Sequence, residues 1–406
     1  MKISATLNCN EILSKKNNIY NFGLGSNPLK QPQCFIEYLR HFSDKKDYVS
    51  ASGIPELKNI IKDKYSDYNY KVNNIIVGNG LKELLYLVQL VFQGKIFHIT
   101  PSWVSYKEQI LIMNRENDLV EIHTDLKNNY KINIDELELK LKQFETEKKL
   151  LIFNNPNNPL GIFYNEEEVC KIAKILKKYN CIVLADEIYF DLTHFNKIKS
   201  ISEYIPELTI RGTSISKNMA CGGYRLGWIT FPKELDYLFN KCNSYASSIY
   251  SCANLPTQYA TYKMLENKQE FDNFIRLNNT IYKYIINKII PILNSSNIKF
   301  VTPNSSWYIF LNFDLYSEKL TKIDINSSID LNDYLLNKLN ILTVAGEHFN
   351  AKGLNIRFSL VNIDTKLLEK YYKFGDDITQ ILDKHPNILN KIIEGINILV
   401  SHFNSI

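Results

Sequence analysis

From about residue 57 the chain alternates two kinds of apolar pattern. Short apolar runs, "NNIIVGN", "KIFHIT", "LVEIHT" and "KLLIFNN", are separated by stretches of helical periodicity such as "GLKELLYLVQLVF" and "IDELELKLKQF". This alternation predicts a parallel sheet whose strands are joined by crossover helices. One unit reads closely: Asn165 can cap a helix, Glu168 stands at the capping-box position, and Val169, Ile172, Ala173 and Leu176 fall at i, i+3, i+4 and i+7. The following "CIVLADE" is a fully apolar strand ending in two carboxylates, and "LTIRGTSI" and "GWITFP" read as further strands before a long helical region that runs to about residue 295. Beyond it, "WYIFLNF", "ILTVAG" and "NIRFSL" predict a smaller set of strands, closed by the amphipathic helix "NILNKIIEGINILVSHF". The expected division is a large α/β domain over 46–295 and a smaller α+β domain built from 296–406 with the N-terminal arm 1–45.

Composition narrows the function classes. With 406 residues and 45% hydrophobic content the chain can bury a large core. Its formal charge of +5 comes from 48 basic and 43 acidic residues spread along the chain without a block, which gives nucleic-acid binding little support. The seven cysteines, Cys9, Cys34, Cys170, Cys181, Cys221, Cys242 and Cys252, are odd in number and include no CxxC pair. Neither a disulfide framework nor a zinc site is expected, and a reducing compartment fits. The seven histidines include no pair with metal-ligand spacing, so no metal is expected; His194 and His348 read as packing or surface residues. The opening "MKISATLNCNEILSKK" has no apolar signal-peptide region, and no later segment gives the roughly 18 uninterrupted apolar residues of a membrane span. A cytoplasmic protein with no membrane or nucleic-acid partner is expected.

In doubly wound sheets, ligands sit outside the carboxyl ends of the strands. "LIFNNPNNPLG" puts Asn155, Asn157 and Asn158 after one strand, "IVLADEIY" puts Asp186 and Tyr189 after another, and "TSISK" puts Ser214, Ser216 and Lys217 after a third. Three strand ends would converge on one crevice. Taken singly these residues are ordinary, since a loop lysine is usually solvated and an aspartate after a strand usually caps a turn. Together they offer a chemistry. A lysine amine becomes a nucleophile toward carbonyl carbon when burial and a cationic neighbour lower its pKa, and Arg225 is a candidate neighbour. Pyridoxal phosphate needs such a lysine, a carboxylate for its ring nitrogen, a hydrogen-bond donor for its phenolic oxygen and anion binders for its phosphate, and each has a candidate here.

In order and spacing, "NNPNNPLG", "ADEIY" and "SISK" followed by "GYRLGW" resemble the class I/II aminotransferases, fold type I pyridoxal phosphate enzymes typified by aspartate aminotransferase; the likeness runs from "NFGLGSNP" to "NIRFSL". It implies a large domain with a mostly parallel seven-stranded sheet, a smaller α+β domain, an amino acid and a 2-oxo acid as substrates, and a homodimer with shared active sites. By the same resemblance, Lys217 forms the aldimine with pyridoxal 5'-phosphate and shuttles the proton, while Asp186 pairs with the ring nitrogen. Asn158 and Tyr189 hydrogen-bond the phenolic oxygen, Asn158 also lying on the substrate side, and Ser214 and Arg225 hold the phosphate. The helix start in "VGNGLKELL" makes Gly80, Leu81 and Lys82 resemble the phosphate-binding turn, where free amides favour an anion. Trp103 in "PSWVSY" matches the aromatic that stacks on the ring, and Tyr48 matches the tyrosine that reaches the neighbouring subunit's phosphate. Arg357 matches the arginine that clamps the substrate carboxylate, with the backbone of Gly25 close to the same group. Outside the resemblance these would read as an ordinary helix start, a core tryptophan and a structural ion pair.

The chain also departs from the pattern. Members that prefer dicarboxylates carry a second arginine from the partner subunit, three positions before a Tyr-Ser pair; here Tyr250 and Ser251 are preceded at that distance by Ser247, which favours a neutral or aromatic substrate. "NPTG" appears as "NPLG", with Leu160 in place of a residue that seldom touches the cofactor. The leading expectation is transamination. The shared motifs leave open another pyridoxal phosphate reaction, a β- or γ-lyase, a decarboxylase or an amino-acid oxidase. An effector-binding module of a transcription regulator would need a DNA-binding domain, for which the arm before the first motif is too short.

Overall fold

Strands covered on both faces are written as nearly unbroken apolar runs. The computed structural model describes residues 5–16, 18–67, 69–194, 198–373 and 375–406. Its strands, in chain order, are β1 (Tyr20–Asn21), β2 (Asn74–Gly78), β3 (Lys95–Thr100), β4 (Leu119–His123), β5 (Lys149–Asn154), β6 (Cys181–Asp186), β7 (Thr209–Ser214), β8 (Gly227–Phe231), β9 (Lys299–Phe300), β10 (Tyr308–Asn312), β11 (Ile341–Leu342), β12 (Val344–Ala345) and β13 (Asn355–Ser359). Seven of them form one sheet in the order β2-β8-β7-β6-β5-β3-β4, in which only β8 runs antiparallel to its neighbours. The central β5, β6 and β7 bury every residue.

The two faces of the sheet are separated by the period of two. Leu150 and Ile152 of β5 and Ile182 and Leu184 of β6 pack with Leu84, Leu85 and Val88 of the helix Leu81–Val91. Leu151, Phe153, Val183 and Ala185 face the other way, onto Val169, Ile172, Ala173 and Leu176 of the helix Glu166–Lys178. The capping box expected there is present: Asn165 Oδ1 accepts from the Glu168 amide at 2.9 Å and Glu168 Oε2 accepts from the Asn165 amide at 2.7 Å. Parallel neighbours need such crossovers, whereas β7 and β8 are antiparallel and are joined by residues 215–226 alone.

The remaining strands form a smaller antiparallel sheet, β12-β13-β10-β9, and a parallel pair, β1 with β11. The run "ILTVAG", read from sequence as one strand, is therefore two. Ile341 and Leu342 pair with Tyr20 and Asn21 of the arm, whereas Val344 and Ala345 pair with Arg357 and Ile356. Between them Thr343 is tied by its hydroxyl to Asn332 Oδ1 at 2.7 Å. The long helix Lys268–Leu293 and the closing helix Asn390–Ser405 share one core with Phe22 of the arm and with Tyr308 and Phe358 of the small sheet. No helix among the described residues is long and apolar enough to cross a membrane.

A buried ion pair fixes the back of the β6–β7 edge. Arg211 of β7 donates through Nε to Glu187 Oε2 at 2.9 Å, and Ser200 Oγ donates to the other carboxylate oxygen at 2.5 Å. Removing one member leaves the other charged and dry. Glu187→Ala is expected to cost about 3–5 kcal/mol in urea unfolding, whereas the double change Glu187→Leu with Arg211→Met costs markedly less. Equal losses for the two would mean that the pair is solvated.

Candidate active site

The carboxyl ends of β2, β5, β6 and β7 lie along one edge of the sheet. At the end of β7, Ser214 is the cap of a single helical turn, Ile215–Asn218, its hydroxyl accepting from the Ser216 amide at 3.2 Å. That turn carries Lys217. The lysine Nζ donates to the carbonyl of Gly25 and lies 5.9 Å from the centre of the Tyr189 ring and 5.7 Å from that of Trp307. Its own carbonyl is held by Asn27, whose Nδ2 is 3.0 Å away and also 2.6 Å from Asn278 Oδ1. Burial lowers the lysine pKa, Arg357 and Arg225 lower it further, and Tyr308 and Asp186 oppose them. Sequence suggested Arg225 as the cationic neighbour; Arg357 contributes ahead of it.

Asp186 closes β6 and is 3% exposed. One carboxylate oxygen accepts from Tyr106 Oη at 2.6 Å and the other from the Ile188 amide at 3.1 Å. Burial outweighs both bonds and pushes its pKa up to about 6. A cationic N–H placed against this carboxylate would keep it ionised. Tyr189, three residues on, is buried with its hydroxyl 2.7 Å from that of Tyr308, and burial raises its pKa.

A set of cations and free amides gathers at the β2 end. Gly80 has φ +89°, and the helix Leu81–Val91 that follows has no side-chain cap, so its first amides are free. A Cβ at Gly80 would lie 2.5 Å from Arg225 Nη2, so both backbone and space require glycine. Arg225 donates to the carbonyls of Gly222 at 2.8 Å and Asn79 at 3.0 Å. Lys82 places Nζ 4.9 Å from the Trp103 ring centre, and burial lowers its pKa, with Arg225 and Lys217 adding to the shift against Glu108. At the other end of the same helix Arg115 caps the carbonyls of Gln89, Phe92 and Gly94 at 2.6–2.9 Å.

Arg357 marks the opposite end of the site. On β13 it stands across from Phe310 of β10 and Val344 of β12, and it is fully buried. Nη2 donates to the Gly23 carbonyl at 2.6 Å and Nη1 to Asn158 Oδ1 at 3.1 Å, while Nε has no partner among the described residues. The guanidinium lies 4.8 Å from the Tyr308 ring centre and 5.0 Å from that of Phe349. Among the described residues none of Lys82, Lys217, Arg225 and Arg357 has a carboxylate oxygen within 4.0 Å. A Cβ at Gly25 would approach Tyr308 Oη to 2.7 Å, so the arm passes here only as glycine.

The structure thus brings Gly25, Asn158, Asp186, Tyr189, Ser214, Lys217 and Arg357 to one edge, with Gly80, Leu81, Lys82, Trp103 and Arg225 beside the β2 end. It leaves Tyr48 out: that ring is 88% exposed. Ser247 is likewise exposed, on the helix Asp236–Ile249. Sequence reasoning missed Tyr106, Tyr308 and Asn27. Tyr106 had a signal, because it follows Trp103 by three residues into the helix Ser105–Ile112 and its ring meets Trp103 edge to face at 5.4 Å. Tyr308 and Asn27 had none, since both act on residues far along the chain.

Comparison with known proteins shows the family and the fold. The model of the family described as aminotransferase class I and II matches residues 17–373. A probable aspartate/prephenate aminotransferase of Aquifex aeolicus is 26% identical over 90% of this chain and 93% of its own. An asparagine–oxo-acid transaminase of Streptococcus mutans is 30% identical over 77% of this chain and 78% of its own. Among solved structures, aspartate aminotransferase from Thermus thermophilus with maleate superposes with a TM-score of 0.79 at 22% identity, over 97% of both chains, which is a likeness of fold. The fold is that of the fold type I transferases, and with a family match over most of its length the chain belongs to the class I and II aminotransferases, enzymes that use pyridoxal phosphate.

Proposed function

We propose that this pyridoxal phosphate-dependent aminotransferase carries its chemistry on Lys217, Asp186 and Tyr189 and grips its substrate through Arg357. The observation that supports this most is Arg357 itself, a fully buried guanidinium with an unpartnered Nε and no carboxylate within ion-pair distance among the described residues. A dry charge of this kind is costly unless a ligand completes it, and its planar fork matches a carboxylate. The rest of the site fits the cofactor: Asp186 is a buried carboxylate that a ring N–H would hold ionised, and the glycine turn at Gly80 with Arg225, Lys82 and Ser214 is suited to a phosphate. Trp103 would cover one face of the ring, and Asn158 with Tyr189 would meet its phenolic oxygen.

When bound, pyridoxal phosphate supplies an electrophilic carbon and an electron-withdrawing ring. Lys217, its pKa lowered by burial, is the residue that would hold the cofactor at that carbon, and its amine would move the proton at the substrate Cα. Arg357 and the Asn158 amide orient the substrate carboxylate so that the Cα–H bond faces Lys217. Asp186 holds the ring proton in place. The substrates are an α-amino acid and a 2-oxo acid.

An uncharged Ser247 and the rings of Trp307, Tyr308 and Phe349 around Arg357 and Lys217 support a neutral or aromatic amino acid as donor. The relatives named for aspartate favour a dicarboxylate instead, and half-reactions with single amino acids, followed by absorbance, decide between them. We further propose division of the chain into 46–295 and 1–45 with 296–406, a cytoplasmic location, and a homodimer with shared sites. The exposed Tyr48, Tyr245 and Ile249 support the dimer, in which Tyr48 would reach the phosphate of the neighbouring site.

Three outcomes test these roles. Lys217→Ala is expected to keep the fold and lose the borohydride-reducible link to the cofactor; label remaining on that peptide sinks the assignment. Arg357→Lys is expected to raise KM for the amino acid roughly 10- to 100-fold with cofactor affinity unchanged, because a point charge replaces a fork. An unchanged KM returns Arg357 to a structural role. The third concerns Asp186. Its folded pKa of about 6 lies above the unfolded value, so its contribution to stability is present below about pH 4 and is lost as pH rises through 6. Cofactor-free protein should therefore lose ~3 kcal/mol relative to Asp186→Asn across that window, and bound pyridoxal phosphate should abolish the difference. Parallel melting curves for the two cofactor-free proteins would refute this.

A further inference from the structure

Tyr308 joins both ends of the site. Because β10 and β13 are antiparallel with Tyr308 opposite Ser359 and Phe310 opposite Arg357, the period of two turns Tyr308 and Arg357 to the same face. The Tyr308 hydroxyl lies 2.7 Å from that of Tyr189 and 3.3 Å from the Gly25 carbonyl. A phenol has one proton to give and lone pairs to receive. If Tyr308 gave its proton to Gly25, Tyr189 would have to spend its own on Tyr308 and could only accept from other groups. The distances argue against that. At 2.7 Å the tyrosine pair is at the usual length for O–H···O, whereas 3.3 Å is beyond it. The Arg357 guanidinium, 4.8 Å from the ring centre of Tyr308, draws electron density from the phenol and strengthens it as a donor.

We propose that Tyr308 is a positioning residue of the transamination: it donates its proton to the Tyr189 oxygen, which leaves the Tyr189 proton directed at the phenolic oxygen of the cofactor and makes Tyr189 a stronger donor. Chained hydrogen bonds polarise one another, so the effect reaches the cofactor although Tyr308 need not touch it. The inference rests on the role proposed for Tyr189. The groups facing the pair are Lys217, Arg357 from β13, Tyr282 from the helix Lys268–Leu293 and Asp186 behind Tyr189. The effect must therefore be read as a difference between variants.

The experiment is a pH titration of the visible absorbance of the cofactor-loaded protein, for wild type, Tyr308→Phe, Tyr189→Phe and the double variant. Hydrogen bonding to the phenolic oxygen favours its anionic form and so lowers the pKa of the lysine-linked nitrogen beside it. Tyr308→Phe should raise the midpoint by ~0.5 pH unit, about a threefold change in the equilibrium, and should add nothing once Tyr189 is Phe. A monofluorinated tyrosine at 308, which keeps the packing and donates more strongly, should lower the midpoint, and it serves equally well if Tyr308→Phe does not fold. An unmoved midpoint, a downward shift in Tyr308→Phe, or the same shift in the Tyr189→Phe background would overturn the proposal. A wild type that binds no cofactor at Lys217 would overturn the functional reading first, and this inference with it.

Discussion

Burying Arg357 without an acid is the constraint on which the site depends. A lone buried guanidinium costs less when part of its donor set is occupied and its charge is spread over polarisable neighbours. Here the acceptors come from distant parts of the chain: Gly23 from the arm, Asn158 from the loop after β5, and the rings of Tyr308 and Phe349 from the small sheet. None of these parts can be displaced without exposing or stranding the charge. The arginine therefore ties the large sheet, the small sheet and the arm together at the point where substrate would enter.

The arm pays back that constraint on the catalytic side. Within a few residues it offers the Gly23 carbonyl to Arg357, the Gly25 carbonyl to Lys217 Nζ and the Asn27 amide to the Lys217 carbonyl. It can run so close because residues 23 and 25 are glycine; a Cβ at Gly23 would meet Cys9 Sγ at 2.6 Å, and one at Gly25 would meet Tyr308 Oη at 2.7 Å. The β1–β11 pairing anchors this strip to the segment that continues through Thr343 into β12 of the small sheet, and both cationic side chains rest on the arm's carbonyls.

How much of this could be read from sequence depended on how local each signal was. The β5-to-β6 unit was legible down to its capping box, because periodicity and capping act within a dozen residues. The placement of Lys217, Asp186 and Asn158 on one edge was legible because Asp186 ends its strand and the other two lie within four residues of theirs. The split of "ILTVAG" was not, since its two halves satisfy different partners, one of them in the arm more than 300 residues away. Tyr308 was hidden for a related reason: in "WYIFLNF" it reads as one of six apolar positions, and only the register with β13 turns it toward Arg357. Arg225 was found as a cationic neighbour of Lys217, whereas Arg357, which lowers the same pKa ahead of it, was not, because its chain separation concealed how near it lies.

The strand order also explains why the site has a direction. Along β2-β8-β7-β6-β5 the edge presents, in turn, the free amides after Gly80, then Arg225 before β8, Ser214 and Lys217 after β7, Asp186 and Tyr189 after β6, and Asn158 after β5. In the chain these groups occur in a different order, with the loop after β5 before that after β7 and the Gly80 turn before both. The shuffled strand order thus sorts them in space into a cationic end, a central carboxylate with the amine beside it, and a second cation in Arg357 that reaches Asn158 from the small sheet. Two positive ends with an acid between them match a molecule that is anionic at both extremities and basic in the middle. With the roles proposed above, the cofactor's phosphate would lie at one end and a substrate carboxylate at the other, and a site with either end reversed would not suit them.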